Sequence, residues 1–98
     1  MTNRTQRLDV QNLTKPRNLT GTFSGGTVQL TWTAASDNNA LGGYEIDRDG
    51  ALLDDNVAAD ATSDTDFGPP AGGTHLYQVR AVDEDANVGP PAGVSMAT

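Results

Sequence analysis

Hydrophobic and polar residues alternate strictly in TVQLTWT, residues 27–33, where Val28, Leu30 and Trp32 are separated by Thr27, Gln29, Thr31 and Thr33. A period of two describes a strand with one buried face and one wet face. The chain's single tryptophan marks the buried one. The same alternation in THLYQVRAVD (74–83) sets His75, Tyr77, Val79 and Ala81 on one side, leaving Leu76 outward. Weaker strand patterns occupy RNLTGTF (17–23), YEIDRDG (44–50) with Tyr44 and Ile46 inward, and a short stretch around Leu52 and Leu53. VSMAT (94–98) follows with Val94 and Met96 inward, and residues 54–66 are ambiguous apart from a strand near 62–67. Ser24-Gly25-Gly26 and Asp49-Gly50 read as tight turns, while 34–43, 68–73 and 84–93 read as loops rich in turn formers. Helical periodicity is absent. Seven short strands at roughly ten-residue spacing predict an all-β, seven-stranded antiparallel β-sandwich.

Ahead of the sandwich, Leu8 and Val10 alternate with Arg7, Asp9 and Gln11 in a short strand-like pattern. Lys15-Pro16 then interrupts the chain, because proline cannot donate to a ladder. The expected division is therefore an extended N-terminal arm, 1–15, and a sandwich, 16–98. Charge divides in the same place. Residues 1–17 hold Arg4, Arg7, Lys15 and Arg17 against Asp9, whereas residues 18–98 hold only Arg48 and Arg80 against twelve carboxylates. A body this acidic repels nucleic acid and anionic membrane. Eleven Asp against two Glu, and one Lys against five Arg, fit a protein of a high-salt environment, where screening removes self-repulsion. With no cysteine, neither disulfides nor thiolate metal sites are available, and no apolar run approaches the ~18 residues that span a membrane.

With these elements in place, the order NLTGT, TVQLTWTAASD, GGYEIDRDG, the Tyr77-Val79-Ala81 run, NVGPP and VSM over residues 16–98 resembles a fibronectin type III domain. The likeness is strongest to the versions carried by microbial extracellular enzymes. It implies a sandwich in which Trp32 sits in the second strand, Tyr44 opens the third and Tyr77 lies in the sixth. Two positions depart from the family. A Leu, and six residues later a Tyr that hydrogen-bonds back across the corner before the sixth strand, are replaced here by Pro69 and His75. The imidazole is expected to supply the missing corner bond. Asp64 stands near a usual aromatic position, and Phe67 is expected to provide that ring in a shifted register.

Candidate chemistry is sparse. A catalytic triad needs a nucleophile, a base and an orienter in contact. The sole histidine lies in a strand, no Gly-x-Ser-x-Gly elbow occurs, and no enzymatic activity is expected. Asp83-x-Asp85-x-Asn87 matches the first three ligand positions of a calcium loop, but Val88 stands where the sharp-turn Gly belongs and Val94 where the bidentate Glu belongs. A solvated acidic loop is the simpler reading, so no cofactor is assigned, with Ca2+ held as the alternative. Asp37, Asn38 and Asn39 would lie at the same end of a sandwich, and these six residues are the candidate loop contacts. Asn3, Asn12 and Asn18 each open an Asn-x-Thr glycosylation triplet.

Two functions from different classes fit. The first, preferred from sequence, is a small structural subunit of a larger homo- or hetero-oligomeric assembly, such as a virion capsid decoration, tail or surface-layer component. Its arm would dock on a protein partner through Arg4, Arg7, Leu8, Val10 and Leu13, adding a strand to a neighbour's sheet edge. A chain of this length opening on Met fits a whole gene product. Removing residues 1–14 is then expected to abolish docking and leave melting unchanged. The second is an accessory spacer or weak carbohydrate-binding module of an extracellular glycoside hydrolase, as the family resemblance implies. Either places the protein in a virion or outside the cell, although no secretory signal is visible in the first residues.

Overall fold

A computed structural model describes residues 13–36 and 40–98. Seven strands run antiparallel in two sheets: β1 (Arg17–Ser24), β2 (Thr27–Thr33), β3 (Leu41–Arg48), β4 (Ala51–Val57), β5 (Ser63–Asp66), β6 (Thr74–Asp83) and β7 (Ala92–Ala97). One sheet has the order β1-β2-β5 and the other β4-β3-β6-β7. The chain is thus the expected all-β sandwich. Val28, Leu30 and Trp32 point from β2 into the space between the sheets, where they meet Tyr44 and Ile46 of β3 and Tyr77, Val79 and Ala81 of β6. The rings of Trp32 and Tyr44 lie 5.3 Å apart at 59°, a tilted contact of the kind aromatic quadrupoles favour. The Tyr44 hydroxyl accepts a hydrogen bond from the Ala35 N–H at 3.1 Å, so the largest buried ring of β3 also ties down the loop leaving β2.

β2 and β6 have the bounds expected from their alternation. β3 begins earlier, at Leu41, because Gly42 and Gly43 enter the sheet and do not end a loop. A Cβ on Gly42 would stand 2.8 Å from the Asp83 carbonyl oxygen, and one on Gly43 (φ 156°) 2.5 Å from that of Val57. Only glycine lets β3 approach both neighbours at this point. β4 is longer than expected, running to Val57 on an edge where half-buried Asp54 and exposed Asp55 and Asn56 break the apolar pattern.

Leu13 is corrected as a partner contact. Its side chain is 1% exposed and belongs to the core, where a Cβ on Gly89 would come within 2.8 Å of it. The neighbouring backbone is held too, by Thr14 N–H donating to the Ser36 carbonyl and Ser36 N–H donating to Thr14 Oγ1. Among the described residues the packed body therefore reaches back past Pro16, itself buried, to Leu13. Removing residues 1–14 therefore deletes a core side chain. Arg4, Arg7, Leu8 and Val10 lie outside the described residues.

Phe67 is corrected as well. It is 81% exposed, and the inward position beside it belongs to Asp66. A carboxylate is kept there because Arg48 and Tyr77 of the opposite sheet donate to it.

Candidate functional site

The predicted loop contacts separate on inspection. Asp83 ends β6 and is only 2% exposed. Its Oδ1 accepts hydrogen bonds from the N–H groups of Asp85 and Asn87, both at 2.9 Å, and its Oδ2 accepts from Asn87 Nδ2 at 3.0 Å. Burial pushes the carboxyl up, but the Asn87 side-chain and backbone donors and the Asp85 N–H outweigh it and hold Asp83 below the usual range. The calcium-like spacing is thus a self-closed turn in which both oxygens already face N–H donors, and Asp83 is corrected as a loop contact. Ala86 takes a positive φ of 66° in the same turn. Asp85 is exposed and Asn87 half-buried. Asp37, Asn38 and Asn39 lie outside the described residues.

An open groove of about 610 Å³ runs beside this turn, lined by Gly43 and Glu45 of β3, Asp55 and Val57 of β4, and Val82 and Glu84 near the end of β6. Its charged walls are carboxylates. Among the described residues no group of three or more His, Cys, Asp or Glu is placed to hold a metal ion.

At the other end of the sandwich, His75 does not supply a corner bond. Its Nδ1 lies 2.6 Å from Asp49 Oδ2, while Asp49 Oδ1 accepts from the Leu76 N–H at 2.9 Å. The Asp49 N–H in turn donates to the Leu76 carbonyl at 2.8 Å. Asp49 has φ 54°, a left-handed conformation that Asp tolerates better than most residues. The hydrogen bond from His75, then that from Leu76, lowers the Asp49 carboxyl below its ordinary range. His75 is an anchor for the β3–β4 turn.

Two further clusters were not anticipated from sequence. Asp66 of β5, 6% exposed, reaches across to the other sheet, where Arg48 Nη1 of β3 and the Tyr77 hydroxyl of β6 (2.7 Å) donate to its Oδ2. Its Oδ1 accepts from the Gly68 N–H at 3.0 Å. Burial raises the Asp66 carboxyl, but donation from Tyr77, Gly68 and Arg48 brings it below its ordinary value. Tyr77 is pushed up to about 12, by burial first and then by that hydrogen bond. The second cluster is acidic: Asp64 of β5 is pushed up to about 6 by partial burial and by the hydrogen bond and charge of Asp54 on β4. The alternation that turns Asp64 and Asp66 inward was the available signal. Their partners come from the other sheet and could not be read from spacing.

A three-plus-four antiparallel sandwich whose end turns are closed by their own side chains is an immunoglobulin-like β-sandwich module. More narrowly, the chain is a fibronectin type III-like domain. It superposes on the central fibronectin-III array of RIM-binding protein with a TM-score of 0.78 (22% identity, 93% of this chain, 38% of that one). The fibronectin(III)-like modules of Clostridium thermocellum CbhA give 0.65 (19% identity, 88% and 92%). An Fn3-like protein from the same organism gives 0.61 (26% identity, 84% and 91%). No family model matches the chain. Among curated proteins it is 36% identical over 84 residues to an alpha-amylase of Niallia circulans, 38% over 79 residues to a gellan lyase of a Bacillus species, and 33% over 72 residues to chitinase C of Streptomyces lividans. Those matches take in 85%, 79% and 74% of this chain but only 6%, 3% and 11% of the relatives.

Proposed function

We propose that the chain is a non-catalytic accessory module serving an enzyme that degrades a polysaccharide outside the cell. One observation carries this reading. An alpha-amylase, a gellan lyase and a chitinase differ in substrate and, for the lyase, in reaction type, yet each contains a short stretch resembling this chain. A segment common to enzymes of different chemistry is poorly suited to hold the catalytic groups of any one of them. It suits a role that all of them need: spacing a catalytic domain from a bulky polymer, or holding it there. Polymeric substrates of this kind are too large to enter a cell, which supports an extracellular or cell-surface location. The relatives favour this reading over a subunit of a virion or surface array docked through its arm.

Two assays test the two halves. The isolated chain should release no reducing ends from starch or chitin, and release would overturn the non-catalytic part. Grafting the chain onto a hydrolase catalytic domain should change its action on insoluble polymer, and an unchanged rate would overturn the accessory part.

A further inference from the structure

The outer face of the β1-β2-β5 sheet carries two rows of side chains with no ionisable group among them. Register sets Thr20, Thr31 and Ser63 in one row and Thr22, Gln29 and Thr65 in the other. Strand geometry spaces neighbours about 4.8 Å across the sheet and the rows about 6.8 Å along it. Internal bonds hold the array in place: the hydroxyls of Thr20 and Thr31 lie 2.7 Å apart, and the Thr65 hydroxyl donates to Gln29 Oε1. Each hydroxyl keeps a further hydrogen-bonding position for a partner. Phe67 stands two residues beyond Thr65, and Asp66 between them is turned inward to Arg48 and Tyr77. β5 ends at Asp66, and the Phe67 ring, 81% exposed, stands in the bend that follows, one step past the Gln29–Thr65 row. The ring gives this end of the sandwich one large, uncharged, solvent-facing apolar surface.

Charge selects the occupant. The chain has a net charge of −7, so a cationic partner would be drawn to the carboxylates of the groove and the sheet edges, and an acidic polymer would be repelled. A neutral, hydroxyl-bearing partner meets no charge along these two rows and loses no carboxylate solvation there. A sugar chain has that chemistry: hydroxyls that exchange hydrogen bonds with Thr and Gln, and C–H faces that an aromatic ring covers. We propose that the outer face of the three-stranded sheet docks on an uncharged polysaccharide, with Phe67 against a sugar ring and the two hydroxyl rows along the chain. This rests on the accessory-module reading and adds the surface and the ligand class.

The test is depletion of the 98-residue protein from solution by insoluble chitin, granular starch and cellulose, for the wild type and three variants. Phe67→Ala and Thr31→Arg alter the face, while Leu76→Ala alters an exposed position on the opposite sheet. All three positions are exposed, so melting should match the wild type. Binding to one of the polymers is expected, weakened about tenfold or more by Phe67→Ala and by Thr31→Arg and unchanged by Leu76→Ala. Binding that survives both face variants overturns the proposal while leaving the module reading intact. Absence of binding to all three polymers also overturns it; if grafting still alters hydrolysis, the module is a spacer, and if it does not, both readings fall. Self-association that either face variant abolishes would assign the surface to a second copy and equally overturn it.

Discussion

The Asp66 clamp makes the sharpest stability prediction, because it joins the two sheets at a site where apolar packing would be expected. Replacing Asp66 by Ala removes the acceptor for Arg48, for the Tyr77 hydroxyl and for the Gly68 N–H. Gly68 is exposed and regains water, and the Arg48 side chain, 23% exposed, can swing toward solvent. Tyr77 is 0% exposed and cannot. Its orphaned hydroxyl costs about 1–3 kcal/mol, and the lost charge-assisted bond from Arg48 adds up to about 2 kcal/mol, so Asp66→Ala should destabilise by about 1–5 kcal/mol. Tyr77→Phe alone keeps Arg48 and Gly68 on the carboxylate and should cost about 1–2 kcal/mol. In the double variant no hydroxyl remains to be orphaned, so its cost should fall short of the sum of the singles by about 1–2 kcal/mol. Urea unfolding followed by tryptophan fluorescence measures all four proteins, and a domain of about 5–15 kcal/mol tolerates the changes. Costs that add to within about 0.5 kcal/mol would refute the clamp, since additivity is the behaviour of sites that do not interact.

Other expectations follow from the same packing and electrostatics. Leu13→Ala should cost about 2–5 kcal/mol in the same assay, as a core side chain does; a cost below about 0.5 kcal/mol would return residue 13 to a free arm. Asp64, raised from 3.8 to about 6, binds its proton more tightly in the folded domain than in the unfolded chain. Its contribution is therefore fully present below pH 3.8 and lost as pH rises through about 6, and partial exposure keeps it under about 1 kcal/mol. Asp54→Asn removes the facing charge and should flatten that part of the melting profile, whereas an unchanged profile would remove Asp54 as a cause. Asp66 has the opposite sign: its lowered carboxyl adds stability above the ordinary value of 3.8 that is lost as acid protonates it. Salt should stabilise the domain, because excess carboxylates over residues 18–98 repel one another until screened. A melting temperature that does not rise between about 0.05 and about 1 M NaCl would contradict that.

The strands whose inward positions are apolar could be read from sequence nearly to the residue. TVQLTWT alternates without interruption and the middle of THLYQVRAVD, Tyr77 to Ala81, does the same, and burial follows both; at the ends of the second stretch the chemistry reverses, with Leu76 outward and Asp83 buried. Legibility failed where a structural role is filled by a residue that usually does something else. Gly42 and Gly43 look like loop, yet they open β3 because two neighbouring carbonyls leave no room for a Cβ. Asp66 looks like surface, yet it is buried because its donors arrive from the other sheet. Phe67 looks like core and is exposed because Asp66 holds the inward position. Leu13 sits before a proline in a polar stretch, and nothing local shows that it meets Gly89. In the turn after β6, the Asp-x-Asp-x-Asn spacing served the backbone rather than a cation. The outer threonines of β2 were visible from the start as the wet half of the alternation. Their continuation onto β1 and β5 required the register between strands.

The most direct measurement of the account compares one catalytic domain with and without this chain on an insoluble polysaccharide and on a short soluble oligosaccharide of the same linkage. A non-catalytic accessory module should raise the rate on the insoluble polymer and leave the rate on the oligosaccharide unchanged. Equal effects on both substrates, or none on either, would contradict it.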